Sequence, residues 1–151
     1  MRILIATDGS TYSKRAVEEC CRLLAHPAEA EIKVMSVFEH AYVLMAEPVA
    51  MPAGFYQELD EVAKERAGEF VTEAADTVSK SLNARGANVS SDVLEGTPAQ
   101  RIIETAREWN ADVIVVGSHG RGFWGRLLGS VSDAVVHHAP CSVLVVRDRE
   151  A

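Results

Sequence analysis

Short apolar runs alternate with helix-like patterns along this chain, and that alternation sharply limits the folds open to it. Strands are predicted at residues 3–6, 32–38, 88–94, 112–116 and 142–146. Between most of them, apolar residues recur at the three- and four-residue intervals of amphipathic helices, whereas 39–54 is predicted as a loop. Strict alternation predicts a single-domain α/β fold, a parallel sheet of five strands with helices on both faces. Ligands bind such sheets beyond the carboxyl ends of the strands, where the strand order reverses.

Polar residues and glycines mark the predicted helix boundaries. Ser10 or Ser13 is placed to cap the first helix, and the segment 97–100, Thr-Pro-Ala-Gln, is typical of a capping box. A long helix is predicted over 56–84, with its end at Gly86. Its core-facing stripe comprises Leu59, Val62, Phe70, Ala74, Val78 and Leu82.

Composition narrows the functional classes. The 151 residues are 48% hydrophobic, which predicts one globular domain over 1–151. The net charge of −7 argues against nucleic acid or an anionic membrane as a partner. Cys20, Cys21 and Cys141 do not suit a disulfide framework and are predicted as small buried residues. No apolar run approaches the roughly 18 residues of a membrane span, so a cytoplasmic protein is predicted.

Half of the chain's 10 glycines follow the fourth strand closely. They are Gly117, Gly120, Gly122, Gly125 and Gly129. Glycine lets backbone N–H groups approach a phosphate, and a helix N-terminus adds partial positive charge, so the stretch predicts an anion site, with a plain turn as the alternative. The pattern G-x-x-x-x-G-K-[ST] does not occur in it. The G-x-G-x-x-G at 120–125 is rejected as a dinucleotide motif because the glycine at the strand end is Gly117.

Other polar residues near strand ends carry two interpretations each. Asp8 is either a turn aspartate or a carboxylate that accepts hydrogen bonds from ribose or helps to hold a metal on phosphates. His119 is either a donor to phosphate or a solvated loop histidine.

His137 and His138 are not expected to bind a metal with Cys141, because adjacent helical residues point about 100° apart. No nucleophile–base pattern stands out, so a dedicated enzyme is not expected.

Four segments together resemble the universal stress protein family over nearly the whole chain. They are 3–10, 96–98, 117–132 and 138–146. The resemblance implies a Rossmann-like fold of the adenine-nucleotide alpha hydrolase type that binds one ATP, or AMP or ADP, per subunit, with or without Mg²⁺. It implies a nucleotide-responsive stress module and a homodimer in which the last strands, residues 143–146, pair antiparallel.

The same resemblance assigns roles to individual residues. It implies that the main chain around Val37 contacts the adenine, with Ala6 and Thr7 lining the base pocket. It implies that Asp8 contacts the ribose or a metal-linked group. The residues implied to hold the ribose and phosphates are Gly117, Gly120, Gly129, Ser130, Val131 and Ser132. The predicted nucleotide site is completed by Val116, His119 and Arg121.

The glycine motif departs from the family pattern by one residue. That pattern is G-x2-G-x9-G-[ST], whereas eight residues separate Gly120 from Gly129. One residue fewer rotates a helical face by about 100° or shortens the loop by about 3.5 Å. Either Gly122 and Gly125 absorb the change, or the phosphate cradle is imperfect. Two alternatives stay open: a dimeric interaction protein with a vestigial loop, and a slow ATP phosphohydrolase that holds water near Asp8.

Overall fold

The computed structural model describes residues 1–23, 30–41, 51–52, 54–82, 87–120 and 128–147. In these ranges five strands form one parallel sheet, which confirms the predicted fold class. The strands are β1 (Arg2–Ala6), β2 (Glu31–Phe38), β3 (Asn88–Glu95), β4 (Val113–Gly117) and β5 (Ser142–Val146). Their order across the sheet is β3-β2-β1-β4-β5. Every predicted strand is therefore present.

Helices cover both faces of the sheet. Within the described ranges they are α1 (Thr11–Leu23), α2 (Phe55–Leu82), α3 (Pro98–Glu108) and α4 (Ser130–His138). One face packs against α1 and α2, and its core includes Ile3, Ile5 and Val78. The opposite face packs against α3 and α4, and its core includes Leu4 and Ile102. Ile3 and Leu4 belong to different cores because successive strand residues point to opposite faces of a sheet.

The chain reverses its direction across the sheet after β3. β2 and β3 lie successively to one side of β1, whereas β4 returns to pair with the other side of β1, with Ile5 beside Val115. The helices that follow β1 and β4 lie on opposite faces, so a crevice opens between the carboxyl ends of these two strands. Parallel sheets bind ligands at such reversal points. The loops after Ala6 and Gly117 both begin at this crevice.

Two helix starts differ in their capping chemistry. Ser10 Oγ accepts a hydrogen bond from the Ser13 N–H at 3.2 Å, so Ser10 caps α1 and the alternative cap at Ser13 is wrong. Thr97 occupies the predicted N-cap position of α3, but its side chain makes no capping hydrogen bond. The Gln100 amide donates instead to Glu104 Oε1 at 2.8 Å. The predicted capping box is therefore wrong, because the Gln100 side chain is engaged one turn further along the helix.

The long helix α2 packs on the sheet through its C-terminal half. Its buried residues are Ala67, Val71, Ala74, Val78 and Leu82. The predicted core-facing stripe is wrong at Val62, whose side chain is 56% exposed. Helical spacing shows which residues share a face, but it carries no information on whether a neighbouring element covers that face.

Two of the cysteines behave as predicted. Cys20 and Cys21 are buried in α1, and burial raises the pKa of the Cys20 thiol to about 12, so this thiol stays protonated. Cys141 is only partly buried, so the prediction of full burial is wrong for this residue. Its position directly before β5 explains the difference, because β5 is the edge strand of the sheet in the described ranges.

Some predictions concern residues outside the described ranges. These are the helix end at Gly86, most of the 39–54 loop, and the loop residues Arg121, Gly122 and Gly125. Among the described residues, no helix has the length and apolar character needed to cross a membrane.

The two helix starts support a stability prediction. Replacing Ser10 by alanine removes a capping hydrogen bond, so the free energy of unfolding should fall by about 1 kcal/mol. Replacing Thr97 by alanine removes no such bond, so its effect should stay within about 0.5 kcal/mol. Urea unfolding followed by circular dichroism measures both values. Equal losses in the two variants would contradict this assignment of the caps.

Candidate functional site

A cavity of about 320 Å³ opens between the carboxyl ends of β1 and β4. Every predicted site residue within the described ranges lines it, and Arg121 lies outside those ranges. The predicted residues at the cavity are Ala6, Thr7, Asp8, Val37, Val116, Gly117, His119, Gly120, Gly129, Ser130, Val131 and Ser132. Segments that are far apart in the chain, such as those of Asp8 and Gly129, thus contribute to one cavity, because the strand order places β1 beside β4.

The cavity also contains residues that the sequence analysis missed. These are Ser13, Met35, Ser36, Pro98 and Ile102. Ser13 was detectable, since it lies in the first turn of the helix that follows Asp8. Pro98 and Ile102 were not, because their approach to the cavity depends on how α3 crosses the sheet face, and no local pattern encodes that crossing.

The turn after β1 is held by short side-chain hydrogen bonds. Thr7 Oγ1 accepts from the Gly9 N–H at 3.2 Å and donates to Ser13 Oγ at 3.1 Å. Asp8 Oδ1 accepts from the Ser10 N–H at 3.0 Å. Gly9 has a φ of +72°, a conformation that favours glycine, and a Cβ there would overlap the Phe70 ring. The turn therefore presents Asp8 in one orientation.

The second oxygen of Asp8 points towards the glycine loop. A Cβ atom at residue 120 would lie 2.8 Å from Asp8 Oδ2. The Asp8 carboxylate therefore sits directly against the main chain of Gly120, across the crevice. The turn interpretation of Asp8 is confirmed through Oδ1, and Asp8 also lines the cavity. Its contact with ribose or a metal stays a prediction. In the described part of the chain, no three potential ligands among His, Cys, Asp and Glu are grouped to hold a metal.

The loop after β4 begins where this strand meets α1. A Cβ at residue 117 would lie 2.7 Å from the carbonyl carbon of Tyr12 and 2.9 Å from the Ser13 nitrogen. Only glycine permits this contact, because both neighbouring atoms belong to the main chain. Gly117 therefore lets the end of β4 approach the start of α1 and sets the width of the crevice.

The peptide groups of Ser118 join three elements. Its N–H donates to the Val146 carbonyl at 2.8 Å, at the end of β5. Its carbonyl accepts from the Gly129 N–H and from Ser132 Oγ, each at 2.8 Å. Ser118 is 1% exposed, so these bonds lie in a dry environment where an unmade one is costly. They hold the residues directly after β4 and the start of α4 in one arrangement.

His119 lines the cavity without facing bulk solvent. It is 9% exposed, which contradicts the solvated alternative. Its Nδ1 lies 3.0 Å from Ser118 Oγ, and its ring centroid is 5.1 Å from that of Tyr12. These contacts restrict the imidazole to a defined position at the cavity wall, where Nε2 is buried.

The N-terminus of α4 opens into the cavity. Gly129 is the N-cap residue and has no side chain with which to cap the helix. The first N–H groups of a helix have no acceptor within it, and those of Ser130, Val131 and Ser132 belong to residues that line the cavity. Together with the helix dipole, they favour an anion at this wall.

The cavity wall has two chemically different sides. Met35, Val37 and Ile102, from β2 and α3, supply an apolar surface, while the loops after β1 and β4 supply the carboxylate, the hydroxyl groups and the helix N-terminus. The arrangement suits a ligand with a flat apolar part and an anionic tail. Ligand pockets commonly combine a mostly apolar lining with a few placed polar groups.

Gly117 and Gly68 provide a matched test of this architecture. Gly117→Ala forces a methyl group against the main chain of α1, so the free energy of unfolding should fall by about 1–3 kcal/mol. Gly68→Ala in α2 meets nothing within 4 Å and should raise stability by about 0.5–1 kcal/mol. Urea unfolding compares the two. An unchanged or higher stability for Gly117→Ala would refute the close approach of β4 to α1.

Known proteins resemble this chain over nearly its whole length. The model of the universal stress protein family matches residues 1–147. A universal stress protein of Methanocaldococcus jannaschii is 36% identical over 149 residues, which cover 97% of this chain and 81% of that protein. Universal stress protein A homolog 2 of Coxiella burnetii is 34% identical over 150 residues, which cover 97% of this chain and 94% of that protein.

Solved structures share the fold. Universal stress protein UspA from Lactobacillus plantarum superposes with a TM-score of 0.80 at 24% identity, over 97% of each chain. A universal stress protein family protein from Arabidopsis thaliana with AMP bound has a TM-score of 0.64 at 19% identity, over 99% of this chain and 92% of that one. A universal stress protein in complex with cAMP has a TM-score of 0.63 at 22% identity, over 97% of this chain and 96% of that one.

Proposed function

Because the chain belongs to the universal stress protein family, we propose that it binds an adenine nucleotide, ATP foremost, in the cavity between β1 and β4. The observation that carries the proposal is the uncapped N-terminus of α4, which faces a cavity whose other side is apolar. A flat base matches the apolar side and a phosphate chain matches the helix N-terminus. AMP and cAMP in two proteins of the same fold support this ligand class.

The ligand parts have distinct positions in this proposal. The base lies by the main chain of Val37, with Ala6 and Thr7 beside it. Asp8 accepts hydrogen bonds from ribose hydroxyl groups or holds Mg²⁺ that accompanies the phosphates, since its carboxylate oxygens are acceptors only. The phosphates lie against the N-terminus of α4 and the glycines 117, 120 and 129.

The proposed role is that of a nucleotide-responsive module in the cytoplasm rather than a dedicated enzyme. Asp8 Oδ1 is engaged by the Ser10 N–H, and His119 Nδ1 lies next to Ser118 Oγ. Asp8 and His119 thus make structural contacts, and the hydroxyl group beside His119 belongs to Ser118, which is only 1% exposed. Nucleotide occupancy acts through the conformation of the loop, which Ser118 connects to β5 and α4.

Calorimetric titration with Mg-ATP tests the proposal. The wild-type protein should bind one nucleotide per chain, and Gly120→Ala should bind at least about tenfold more weakly, because a Cβ there meets Asp8 Oδ2 and occupies the crevice. The fold should survive, since the atom that must move is the end of a side chain.

Gly68→Ala is the matched control, since it makes the same chemical change away from the cavity and should bind like the wild type. Mass spectrometry of the denatured, freshly purified protein shows whether a nucleotide is retained. No binding at millimolar Mg-ATP would refute the proposal and favour an interaction protein with a vestigial loop.

The proposal includes a homodimer formed through β5. This strand is at the edge of the sheet, and residues 143–145 are only partly buried. The Val146 carbonyl points to β4, where it accepts from the Ser118 N–H. Peptide groups alternate in direction along a strand, so the N–H and C=O of Val145 point to the open side, where an antiparallel second copy can pair with them.

Sedimentation velocity tests the dimer. The wild-type protein should sediment as a dimer at micromolar concentration, whereas Val145→Pro, which lacks the outward N–H, should be largely monomeric. Val136→Ala, at an exposed position of α4, serves as the control and should remain dimeric. A monomeric wild-type protein would exclude this interface.

A further inference from the structure

A histidine bridges two carboxylates beyond the carboxyl end of β2. His40 Nδ1 lies 2.6 Å from Asp60 Oδ2 on α2, and His40 Nε2 lies 2.5 Å from Glu95 Oε1 at the end of β3. The other Asp60 oxygen, Oδ1, accepts from the Ala41 N–H at 2.8 Å. One side chain thus connects three elements at the edge of the sheet that carries the cavity.

The geometry specifies the protonation state of this cluster. A neutral imidazole has one N–H, and ionised carboxylates only accept hydrogen bonds. With Asp60 and Glu95 both ionised, the two short contacts are both hydrogen bonds only when His40 is an imidazolium that donates from both nitrogens. Hydrogen bonds to Asp60 and Glu95 raise the pKa of His40. The pKa of Asp60 is lowered, first by the hydrogen bond that it accepts from the Ala41 N–H and second by the one from His40.

Nearby charged residues leave the cluster acidic. Glu39 precedes His40 in the chain and adds a third carboxylate to this region. On α3, Arg101 directs Nε to the main-chain carbonyl of Glu95 at 2.7 Å and Nη1 to Glu104 at 3.2 Å, so it pairs with Glu104 rather than with the Glu95 carboxylate. Among the described contacts, His40 is therefore the cation that pairs with Asp60 and Glu95.

The cluster is connected to the cavity by short stretches of main chain. Val37, which lines the cavity, lies three residues before His40, and Pro98, which also lines it, lies three residues after Glu95. The Gly96 N–H donates to the Phe38 carbonyl at 3.0 Å and ties these two stretches to each other. His40 and Glu95 thus lie on two connected stretches of main chain that lead into the cavity wall.

We infer that His40 is a proton-operated clamp. As an imidazolium it ties the ends of β2 and β3 to α2 and holds the cavity wall that contains Val37 and Pro98. Loss of one proton leaves a nitrogen lone pair facing a carboxylate, so one of the two bonds is lost and the wall loosens. Ligand binding is then stronger below the pKa of His40 than above it; this consequence rests on the proposed function.

The stability of the protein should change in the same direction. Because the folded state raises the pKa of His40, the clamp contributes its full stability below the ordinary histidine pKa and loses it as the pH rises through the raised value. The side chains are 44%, 24% and 53% exposed for His40, Asp60 and Glu95, so solvent weakens the two ion pairs.

Nitrogen-15 NMR of the histidine side chains tests the clamp directly. At neutral pH both His40 nitrogens should carry protons. Asp60→Asn should lower the titration midpoint of His40, because it leaves Glu95 as the one carboxylate paired with the imidazolium in the described contacts. A singly protonated His40 at neutral pH, or a midpoint that Asp60→Asn leaves unchanged, would overturn the clamp.

Titration with Mg-ATP tests the connection to the cavity. From about pH 7 to about pH 9, the Kd of the wild type should rise by about threefold, the effect of one exposed ion pair, while the Kd of His40→Gln should stay nearly constant. His137→Gln is the matched control and should follow the wild type. Equal pH profiles for wild type and His40→Gln would overturn the connection.

The two experiments separate the two proposals. A doubly protonated His40 in a protein that binds no nucleotide supports the clamp and refutes the proposed function. A protein that binds nucleotide but whose His40 is singly protonated at neutral pH supports the proposed function and overturns the clamp.

Discussion

The arrangement of the whole site depends on the hydrogen bonds made by the main chain of Ser118. This buried residue donates to Val146 and accepts from Gly129 and from the Ser132 hydroxyl group, each at 2.8 Å. The bonds fix residues 118–120 relative to β5 and to the start of α4. Gly129 is the N-cap of α4, so the same bonds position the N-terminus of this helix at the cavity. The proposed nucleotide site and the proposed dimer interface thus share one structural element.

Polar groups around the crevice divide into those used by the fold and those offered to a ligand. Thr7, Ser10 and Ser13 form hydrogen bonds with each other and with the main chain of the turn, so they make the turn rigid. Asp8 belongs to both groups, since one oxygen holds the turn and the other lies against Gly120. Preorganisation of this kind lowers the entropy lost on binding. In the inferred clamp, the protonation state of His40 controls the rigidity of a second part of the wall, which contains Val37 and Pro98.

Much of the site was predictable because it lies at strand ends. Asp8 and Gly117 were identified since parallel sheets present their carboxyl ends to ligands, and all predicted residues in the described ranges line one cavity. The predictions for Val62 and Gln100 were wrong, because each depended on which other residue the side chain contacts in the folded protein. Val62 has the spacing of a core-facing residue, but it is exposed on the surface of α2. The Gln100 side chain donates a hydrogen bond to Glu104 instead of bonding to the main chain of Thr97. Competing partners of similar strength cannot be ranked from spacing alone.

The sequence by itself determined the alternation of strands and helices, the family, and the glycines that let main-chain groups approach each other. These features follow from local physics, since the periodicity of apolar residues and the conformational freedom of glycine act over a few residues. Tertiary structure alone decided the strand order β3-β2-β1-β4-β5, the approach of Pro98 to the cavity and the bridge from His40 to Asp60 and Glu95. Each of these joins residues distant in the chain, and only the packing of helices on the sheet brings them within hydrogen-bonding or van der Waals distance.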